Sequence, residues 1–206
     1  MDSKTHWETV YQTKAANKVS WYRAHLDKSL ALIEHAAPDP NAAIIDIGGG
    51  EATLVDDLIE RGYQHLNVLD ISQAAIDTTR QRLGTVAERI NWIVADITTA
   101  DLPSQQYDVW HDRAVFHFLT LPAQRAAYIR QVLSAVKPDG HIIMATFGVN
   151  GPEKCSGLEI VRYSSESLQA EFGDRFQLLE TSTELHQTPF LTTQQFLYCH
   201  LGKIEN

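Results

Sequence analysis

Residues 42–54 read Ala42-Ala43-Ile44-Ile45-Asp46-Ile47-Gly48-Gly49-Gly50-Glu51-Ala52-Thr53-Leu54, and this stretch decides the fold. A short apolar run, an aspartate, three consecutive glycines and a helical apolar pattern predict a buried strand that turns sharply into a helix. Glycines permit backbone angles closed to other residues, and they let a ligand approach the main chain closely. The stretch therefore predicts a nucleotide-type site, with an ordinary strand-to-helix turn as the alternative.

Length and composition limit the classes that the chain can belong to. Its 206 residues suit one domain, and the formal net charge of −9 argues against a general nucleic-acid binder. Such a charge suits small molecules or a basic protein surface better. Cys155 and Cys199 lack CxxC or metal spacing, which favours free thiols in a reducing compartment. We see no signal-peptide run and no membrane-length apolar window, so we expect a cytoplasmic protein without a membrane partner.

Strand and helix patterns alternate after the glycine turn. Short apolar strands ending in a carboxylate recur at 66–70, 91–96 and 107–112, and a fifth strand is predicted at 141–147. Such alternation favours parallel pairing with right-handed crossovers. Two further strands, at 176–186 and 194–201, are joined closely enough for an antiparallel hairpin. We predict an α/β fold with a doubly wound, mostly parallel, seven-stranded Rossmann-like sheet that ends in this hairpin.

The remaining segments flank the predicted sheet. Residues 1–40, a polar aromatic lead followed by an apolar helical stripe, are expected to form an N-terminal helical cap that Pro38-Asp39-Pro40 ends. Residues 41–206 then form a single compact domain. Residues 148–162 contain several glycines and no period, which predicts a lid-like loop carrying Cys155 as an exposed thiol.

Carboxylates follow the first four predicted strands, and ligands of open α/β sheets bind beyond the carboxyl ends of the strands. These residues are Asp46, Asp70, Asp96 and Asp112. Each could instead cap a helix. Asp70 follows Asp46 at nearly the interval at which a Rossmann-like unit presents a carboxylate to ribose hydroxyls. Dinucleotide binding is the first rival interpretation, but a GxGxxG frame starting at Gly48 would need glycine where Thr53 stands.

The successive motifs resemble those of class I S-adenosylmethionine-dependent methyltransferases in order and spacing. The motifs are Asp46-Ile47-Gly48-Gly49-Gly50, Leu69-Asp70-Ile71-Ser72, Ala95-Asp96-Ile97, Tyr107-Asp108-Val109 and Lys137-Pro138-Asp139-Gly140. The similarity covers residues 41–147, and the final hairpin also fits this family. Ala52 replaces the third glycine of the family motif, a departure that keeps a small side chain there.

The resemblance implies S-adenosyl-L-methionine as cofactor and assigns roles to residues of the site. Gly48, Gly49 and Gly50 would face the methionine part, while Asp46 would orient its ammonium through water or backbone. Asp70 would accept both ribose hydroxyls. Asp96 would accept from the adenine amino group, and Ile71 and Ile97 would cover the adenine faces. Asp112 is assigned to the cofactor or to positioning.

A narrower similarity concerns the N-terminal aromatics and the end of the fourth strand. His6-Trp7-Glu8 to Tyr11 with Ser20-Trp21-Tyr22 resembles the cap of a branch that includes citrate-synthase-lysine methyltransferases. The stretch Trp110-His111-Asp112-Arg113-Ala114-Val115-Phe116-His117 is similar to that branch and to thiopurine methyltransferases. These resemblances leave protein and small-molecule acceptors equally open.

Candidate residues for acceptor binding and catalysis come from the same segments. Trp7, Tyr11, Trp21 and Tyr22 could form an aromatic wall for the acceptor or could pack as core. Arg113 could hold an acceptor carboxylate or pair with a nearby aspartate. Methyl transfer needs alignment and exclusion of water more than a base. If a proton must leave, His111, Asp112 and His117 are the candidates, although both histidines could be structural. The histidines lack metal-ligand spacing, so we expect no metal.

The sequence therefore predicts a methyltransferase that acts by in-line displacement on a small molecule or a protein side chain, with lysine among the options. A nicotinamide-dependent oxidoreductase and a non-catalytic, cofactor-binding partner subunit stay open as competing functions. Nucleic-acid acceptors are disfavoured by the acidic charge. The oligomeric state does not follow from the sequence.

Overall fold

A computed structural model describes residues 2–204; Met1, Glu205 and Asn206, at the outer ends of the two expected units, lie outside the described residues. The helices are α1 Ser3–Thr13, α2 Asp27–Ala36, α3 Leu54–Glu60, α4 Gln73–Leu83, α5 Pro122–Ala135 and α6 Ser165–Phe172. The strands are β1 Ala43–Ile47, β2 His65–Asp70, β3 Asn91–Val94, β4 Tyr107–Arg113, β5 Val136–Phe147, β6 Lys154–Cys155, β7 Leu158–Glu159, β8 Phe176–Gln187 and β9 Thr193–Lys203.

Seven of the strands form one sheet in the order β3-β2-β1-β4-β5-β9-β8. Strands β1 to β5 pair in parallel, whereas β9 pairs antiparallel with both β5 and β8. The predicted doubly wound sheet with an antiparallel final pair is confirmed. The strand order reverses between β1 and β4, so the carboxyl ends of these strands border the crevice in which such sheets bind ligands.

Apolar layers cover both faces of the sheet. On one face, Trp110 and Phe116 are fully buried beneath α5 and α6, and the buried Tyr128 of α5 packs against both of their rings. On the other, Ile33 of α2 packs in one cluster with Ile44 of β1 and the apolar residues of α3. The second helix of the expected N-terminal cap is therefore an integral part of the core packing.

Local sequence signals fix several helix ends. Pro122 occupies the first turn of α5, where the missing N–H costs nothing. The Ser72 hydroxyl accepts from the Ala75 amide at 3.2 Å and so caps α4. Ser164 caps α6 in the same way through the amide of Ser167. The helices thus begin where side-chain oxygens satisfy free backbone donors.

The structure differs from the expected elements at several points, of which β5 and residues 148–162 are the largest. Strand β5 begins at Val136 rather than at His141, because the Lys137 to Gly140 stretch forms a bulge in which the pairing with β4 shifts register. Residues 148–162 contain the short β6–β7 pair. Cys155 of this pair is buried, with 4 % of its surface exposed, which corrects the expectation of an exposed thiol.

Within residues 2–204, no helix combines the length and apolar character that crossing a bilayer requires.

Candidate functional site

A main cavity opens at the carboxyl ends of the parallel strands. It contains about 930 Å³ of atom-free space when the solvent-filled mouth is included. Its walls come from α1, from the segments after β1 to β4 and from the β6–β7 pair. Among the lining residues are Trp7, Tyr11, Trp21, Gly48, Asp70, Ile71, Asp96, Ile97, Arg113, Val115, Phe118, Leu119 and Cys155.

The glycine turn between β1 and α3 forms the floor of this site. Gly48 has a φ of +69°, a left-handed conformation that side chains disfavour, and its amide donates to the Leu69 carbonyl at 2.7 Å. A Cβ on Gly49 would lie 2.5 Å from Oδ2 of Asp46 and 2.9 Å from Cγ1 of Val68. The turn therefore fits against the strand ends only without side chains, and this leaves its backbone accessible to a ligand.

Asp70 stands at the carboxyl end of β2 and lines the main cavity. Its Oδ1 accepts from the Ser72 amide at 2.8 Å, whereas no described residue donates to Oδ2. Burial raises the pKa of this carboxyl to about 7, assisted by the negative charge of Asp46. Asp70 thus presents to the cavity an oxygen that a pair of ligand hydroxyls could satisfy.

The segment after β3 provides the opposite wall. Asp96 lies two residues beyond the end of β3, and its Oδ1 accepts from the amide and the hydroxyl of Thr98. Ile71 and Ile97 line the same part of the cavity. Two apolar side chains beside a carboxylate form a slot suited to a flat, donor-bearing ring.

A second cavity adjoins the first behind the glycine turn. The cavities share Tyr11, Trp21, Gly48 and Arg113 as lining residues, and the second adds Asp46, His111 and Arg23. Asp46 accepts from Nδ1 of His111 at 2.6 Å, and Nε2 of His111 lies 2.9 Å from the Ser29 hydroxyl. Since both ring nitrogens are engaged and all three groups are buried, His111 orients Asp46 and fastens α2 to the sheet.

Helix α1, which the sequence patterns did not reveal, lies over the main cavity. Its Glu8 carboxylate accepts from the Ser72 hydroxyl at 2.8 Å and from the Ala74 amide at 3.2 Å. These donors belong to the N-terminus of α4, where the helix dipole favours a negative charge. His6 on the same helix lies 3.2 Å from the Ser156 hydroxyl. These contacts fix α1 on both sides of the cavity.

The N-terminal aromatics form one cluster at the cavity wall. The Trp7 ring centroid lies 5.6 Å from that of Trp21, 5.0 Å from that of Phe118 and 6.1 Å from that of Tyr11. All four side chains line the main cavity, whereas Tyr22 lines only the second one. The structure therefore brings together three of the four aromatics expected to form a wall and adds Phe118.

Arg113 ends β4 between the two cavities. Its Nε donates to the Tyr198 hydroxyl at 3.3 Å and its Nη1 to the Trp21 carbonyl at 3.1 Å. The guanidinium carbon lies 4.3 Å from the centroid of the Phe196 ring. No described aspartate or glutamate forms an ion pair with Arg113, so the expected structural pairing with a nearby aspartate is not found.

Asp112 and His117, which the sequence offered for the cofactor site and for acid–base chemistry, are not among the lining residues of either cavity. The Asp112 carboxylate accepts from the Tyr128 hydroxyl at 2.6 Å and from the amides of Val115 and Phe116. Because side chains alternate along β4, Asp112 points to the α5 face, opposite to Arg113. Burial raises the pKa of Asp112 to about 6.

His117 is fully buried, and its Nδ1 accepts from the Phe147 amide at 3.2 Å. Burial lowers the pKa of this imidazole to about 3, with the positive charge of Arg113 adding to the effect. A neutral ring whose lone pair is engaged by the backbone has no means of taking a proton from an acceptor.

Some lining residues carried no recognisable sequence signal. Val115, Phe118 and Leu119 follow β4, and Cys155 reaches the cavity from the β6–β7 pair. Burial raises the pKa of the Cys155 thiol to about 12, so it is a neutral part of the wall. Among residues 2–204, no group of three or more His, Cys, Asp or Glu side chains has metal-binding geometry.

Residues 44–140 match a family model described as a methyltransferase domain. The chain is 24 % identical over 141 residues to the eEF1A lysine and N-terminal methyltransferase of Mus musculus, covering 68 % of this chain and 20 % of that protein. It is 22 % identical over 160 residues to the EEF1A lysine methyltransferase 2 of Danio rerio, covering 71 % and 69 %. The chain therefore spans only about a fifth of the first of these relatives.

The fold is also similar to that of a solved Burkholderia thailandensis 1,6-didemethyltoxoflavin-N1-methyltransferase, which holds 1,6-didemethyltoxoflavin and S-adenosylhomocysteine. The TM-score is 0.74 at 15 % sequence identity, and the match covers 98 % of this chain and 87 % of that one.

Proposed function

We propose that this chain is a class I S-adenosylmethionine-dependent methyltransferase and that it transfers a methyl group from S-adenosyl-L-methionine to a small-molecule nucleophile; the methyltransferase-domain match over residues 44–140 and the similar methyltransferases support this. The observation that carries the proposal is the position of the Asp70 carboxyl. Its Oδ2, to which no described residue donates, points into the cavity whose floor is the glycine turn. A nucleoside with two adjacent hydroxyls satisfies that oxygen.

The residues of the main cavity fit this cofactor. Asp70 would accept from the ribose hydroxyls, Asp96 from the adenine amino group, and Ile71 and Ile97 would enclose the ring. The glycine turn and Asp46, whose orientation His111 fixes, would hold the methionine part. When bound, the cofactor supplies a sulfonium methyl group, which the acceptor lone pair takes while the carbon–sulfur electrons stay on sulfur.

The chain contributes alignment and exclusion of water to this reaction. The described part of the main cavity wall contains no histidine, and its carboxylates, Asp70 and Asp96, belong to the nucleoside end. The acceptor end is instead lined by Trp7, Trp21 and Phe118, which keep water out beneath α1. Transfer therefore relies on holding an acceptor lone pair in line with the methyl group.

Calorimetric titration of S-adenosyl-L-methionine and S-adenosylhomocysteine into the protein tests this proposal. Asp70→Ala should weaken binding of both by about 1.5 to 3 kcal/mol, the scale of hydrogen bonds to a charged group. The control is Asp77→Ala, which removes an exposed carboxylate from α4. Absence of binding to the folded wild type would refute the function, and unchanged affinity in Asp70→Ala would refute the role of that residue.

Methylation of a protein lysine is the second candidate, since two of the similar proteins are named as lysine methyltransferases. Transfer of labelled methyl groups to a lysine peptide, in preference to small nucleophiles, would favour it. A nicotinamide-dependent oxidoreductase would instead require a nicotinamide cofactor to raise the melting temperature. A non-catalytic partner subunit is disfavoured by the open cavity and would be refuted by turnover of any acceptor.

A further inference from the structure

The guanidinium of Arg113 has donors that nothing in the described structure uses. Each terminal nitrogen of arginine carries two protons. Nη1 uses one of them, on the Trp21 carbonyl, and Nη2 has no hydrogen-bond partner although it is buried. A buried cation with unused donors costs stability unless a ligand satisfies it. Arg113 lines both cavities, so a ligand that reaches its guanidinium must occupy this site.

The titratable side chains on which the charge of Arg113 acts are neutral. Its positive charge acts on the Cys155 thiol, the Tyr198 phenol and the His117 imidazole, all of which burial keeps uncharged. The nearest connected carboxylate is Glu184, which Arg113 reaches only through the Tyr198 hydroxyl. Glu184 also forms an ion pair with Arg23 at 3.3 Å. Among the described residues, Arg113 therefore has no carboxylate in a direct ion pair, and the Asp46 carboxylate that shares the second cavity with it is engaged by His111.

The position of Arg113 is fixed before any ligand arrives. The Tyr198 hydroxyl and the Trp21 carbonyl hold two of its nitrogens, and Phe196 supports its face. In a guanidinium held in this way the edge formed by Nη1 and Nη2 is the one left for a planar anion such as a carboxylate, which would have to displace whatever covers Nη2. Little side-chain entropy remains to be lost on binding.

The aromatic cluster beside Arg113 determines the rest of the ligand. Trp7, Trp21 and Phe118 offer ring faces and edges, so a flat apolar or aromatic skeleton fills the space between them. A lysine ammonium at the same place would meet the positive charge of Arg113, which would repel it. The site thus favours an anion over a cation.

We propose that Arg113 is a specificity-determining residue that selects a planar aromatic acceptor carrying a carboxylate close to its nucleophilic atom. The proposal rests on the proposed function and narrows its acceptor class. It assigns the anion to the acceptor and not to the amino-acid end of the cofactor.

The experiment measures binding of matched probes to the complex saturated with S-adenosylhomocysteine. Calorimetry compares anthranilate with aniline, thiosalicylate with thiophenol, and salicylate with phenol. At least one carboxylate should bind wild type about tenfold or more tighter than its uncharged partner, as a charge-assisted hydrogen bond predicts. Arg113→Met should lose this preference and Arg113→Lys should retain part of it. Arg162→Met, which removes a guanidinium from the loop before α6, should behave as wild type.

Each other outcome of these titrations overturns the proposal. Equal binding within each pair, or absence of binding by all three carboxylates, removes the anion preference. If Arg113→Met still prefers the carboxylates over their uncharged partners, Arg113 has only a structural role, whatever the substitution does to the melting temperature. A third outcome is that Arg113→Met weakens the binding of S-adenosylhomocysteine but not that of 5′-methylthioadenosine, which lacks the carboxylate. This result would show that Arg113 binds the cofactor and not the acceptor. Failure of wild type to bind S-adenosylhomocysteine is different, because it refutes the proposed function itself.

Discussion

Binding of a nucleoside should depend on pH through Asp70. Burial raises the pKa of this carboxyl to about 7, and only its ionised form accepts from two ribose hydroxyls. As the pH falls below 7, protonation competes with the ligand, so affinity decreases. At pH 6 roughly ten carboxyls in eleven are protonated, and at pH 8 roughly one in eleven. The dissociation constant should therefore be about tenfold larger at pH 6, a difference of about 1.4 kcal/mol.

The assay is isothermal titration of 5′-methylthioadenosine between pH 6 and pH 8. This ligand keeps the ribose and the adenine but lacks the amino-acid group, whose own titration would otherwise contribute. Asp70→Asn should bind more weakly at pH 8 and should show no pH slope in this range. A flat wild-type profile, or a slope that persists in Asp70→Asn, would refute the assignment of this carboxyl to the ligand.

Three other perturbations test the architecture around the cavity. Gly49→Ala should lower the free energy of unfolding by about 1 to 3 kcal/mol in urea titrations, because its Cβ would lie 2.5 Å from Oδ2 of Asp46. An unchanged free energy of unfolding would contradict that contact. Glu8→Gln weakens the hydrogen bond to the Ser72 hydroxyl, so amide hydrogen exchange should accelerate in α1 while the sheet stays protected. An unchanged exchange rate in α1, or an equal increase in α1 and the sheet, would show that Glu8 does not hold this helix in place. Cys155, whose pKa burial raises to about 12, should react slowly with iodoacetamide until urea unfolds the chain, and rapid native labelling would show that it is exposed.

The central fold could be predicted because its signals are local. The apolar run ending at Asp46, the glycines after it and the recurrence of the pattern at Asp70 each arise within a few residues. Parallel pairing follows from the alternation of strands and helices. Even Asp96, which lies beyond the end of β3, reaches the cavity wall because the chain leaves every parallel strand at the same edge.

Side-chain direction limited the prediction for β4. His111, Asp112 and Arg113 are consecutive, so a strand necessarily sends the middle one to the opposite face. Sequence position placed all three at the correct end of the sheet but did not indicate which face carries the cavity. The hydrogen bond from the Tyr128 hydroxyl to Asp112 shows that Asp112 lies on the α5 face, so His111 and Arg113 lie on the other.

Helix α1 escaped the sequence analysis because its stability does not come from an apolar stripe. Val10 is its single buried residue. Glu8 anchors it to the first turn of α4, more than sixty residues away in sequence, and Trp7 packs against the distant Phe118 ring. Long-range polar contacts of this kind leave no periodic pattern.

This weak intrinsic packing of α1 has a kinetic consequence. A molecule seated beneath Trp7 supplies the apolar surface that the helix otherwise lacks, so each stabilises the other. Departure of the molecule and detachment of residues 3–13 then become one event, and the escape rate is set by how often Glu8 and His6 release their partners. Detachment of α1 would then limit the rate of turnover. Variants that weaken the contacts of Glu8 or His6 should release S-adenosylhomocysteine faster, and they should also bind it less tightly at equilibrium.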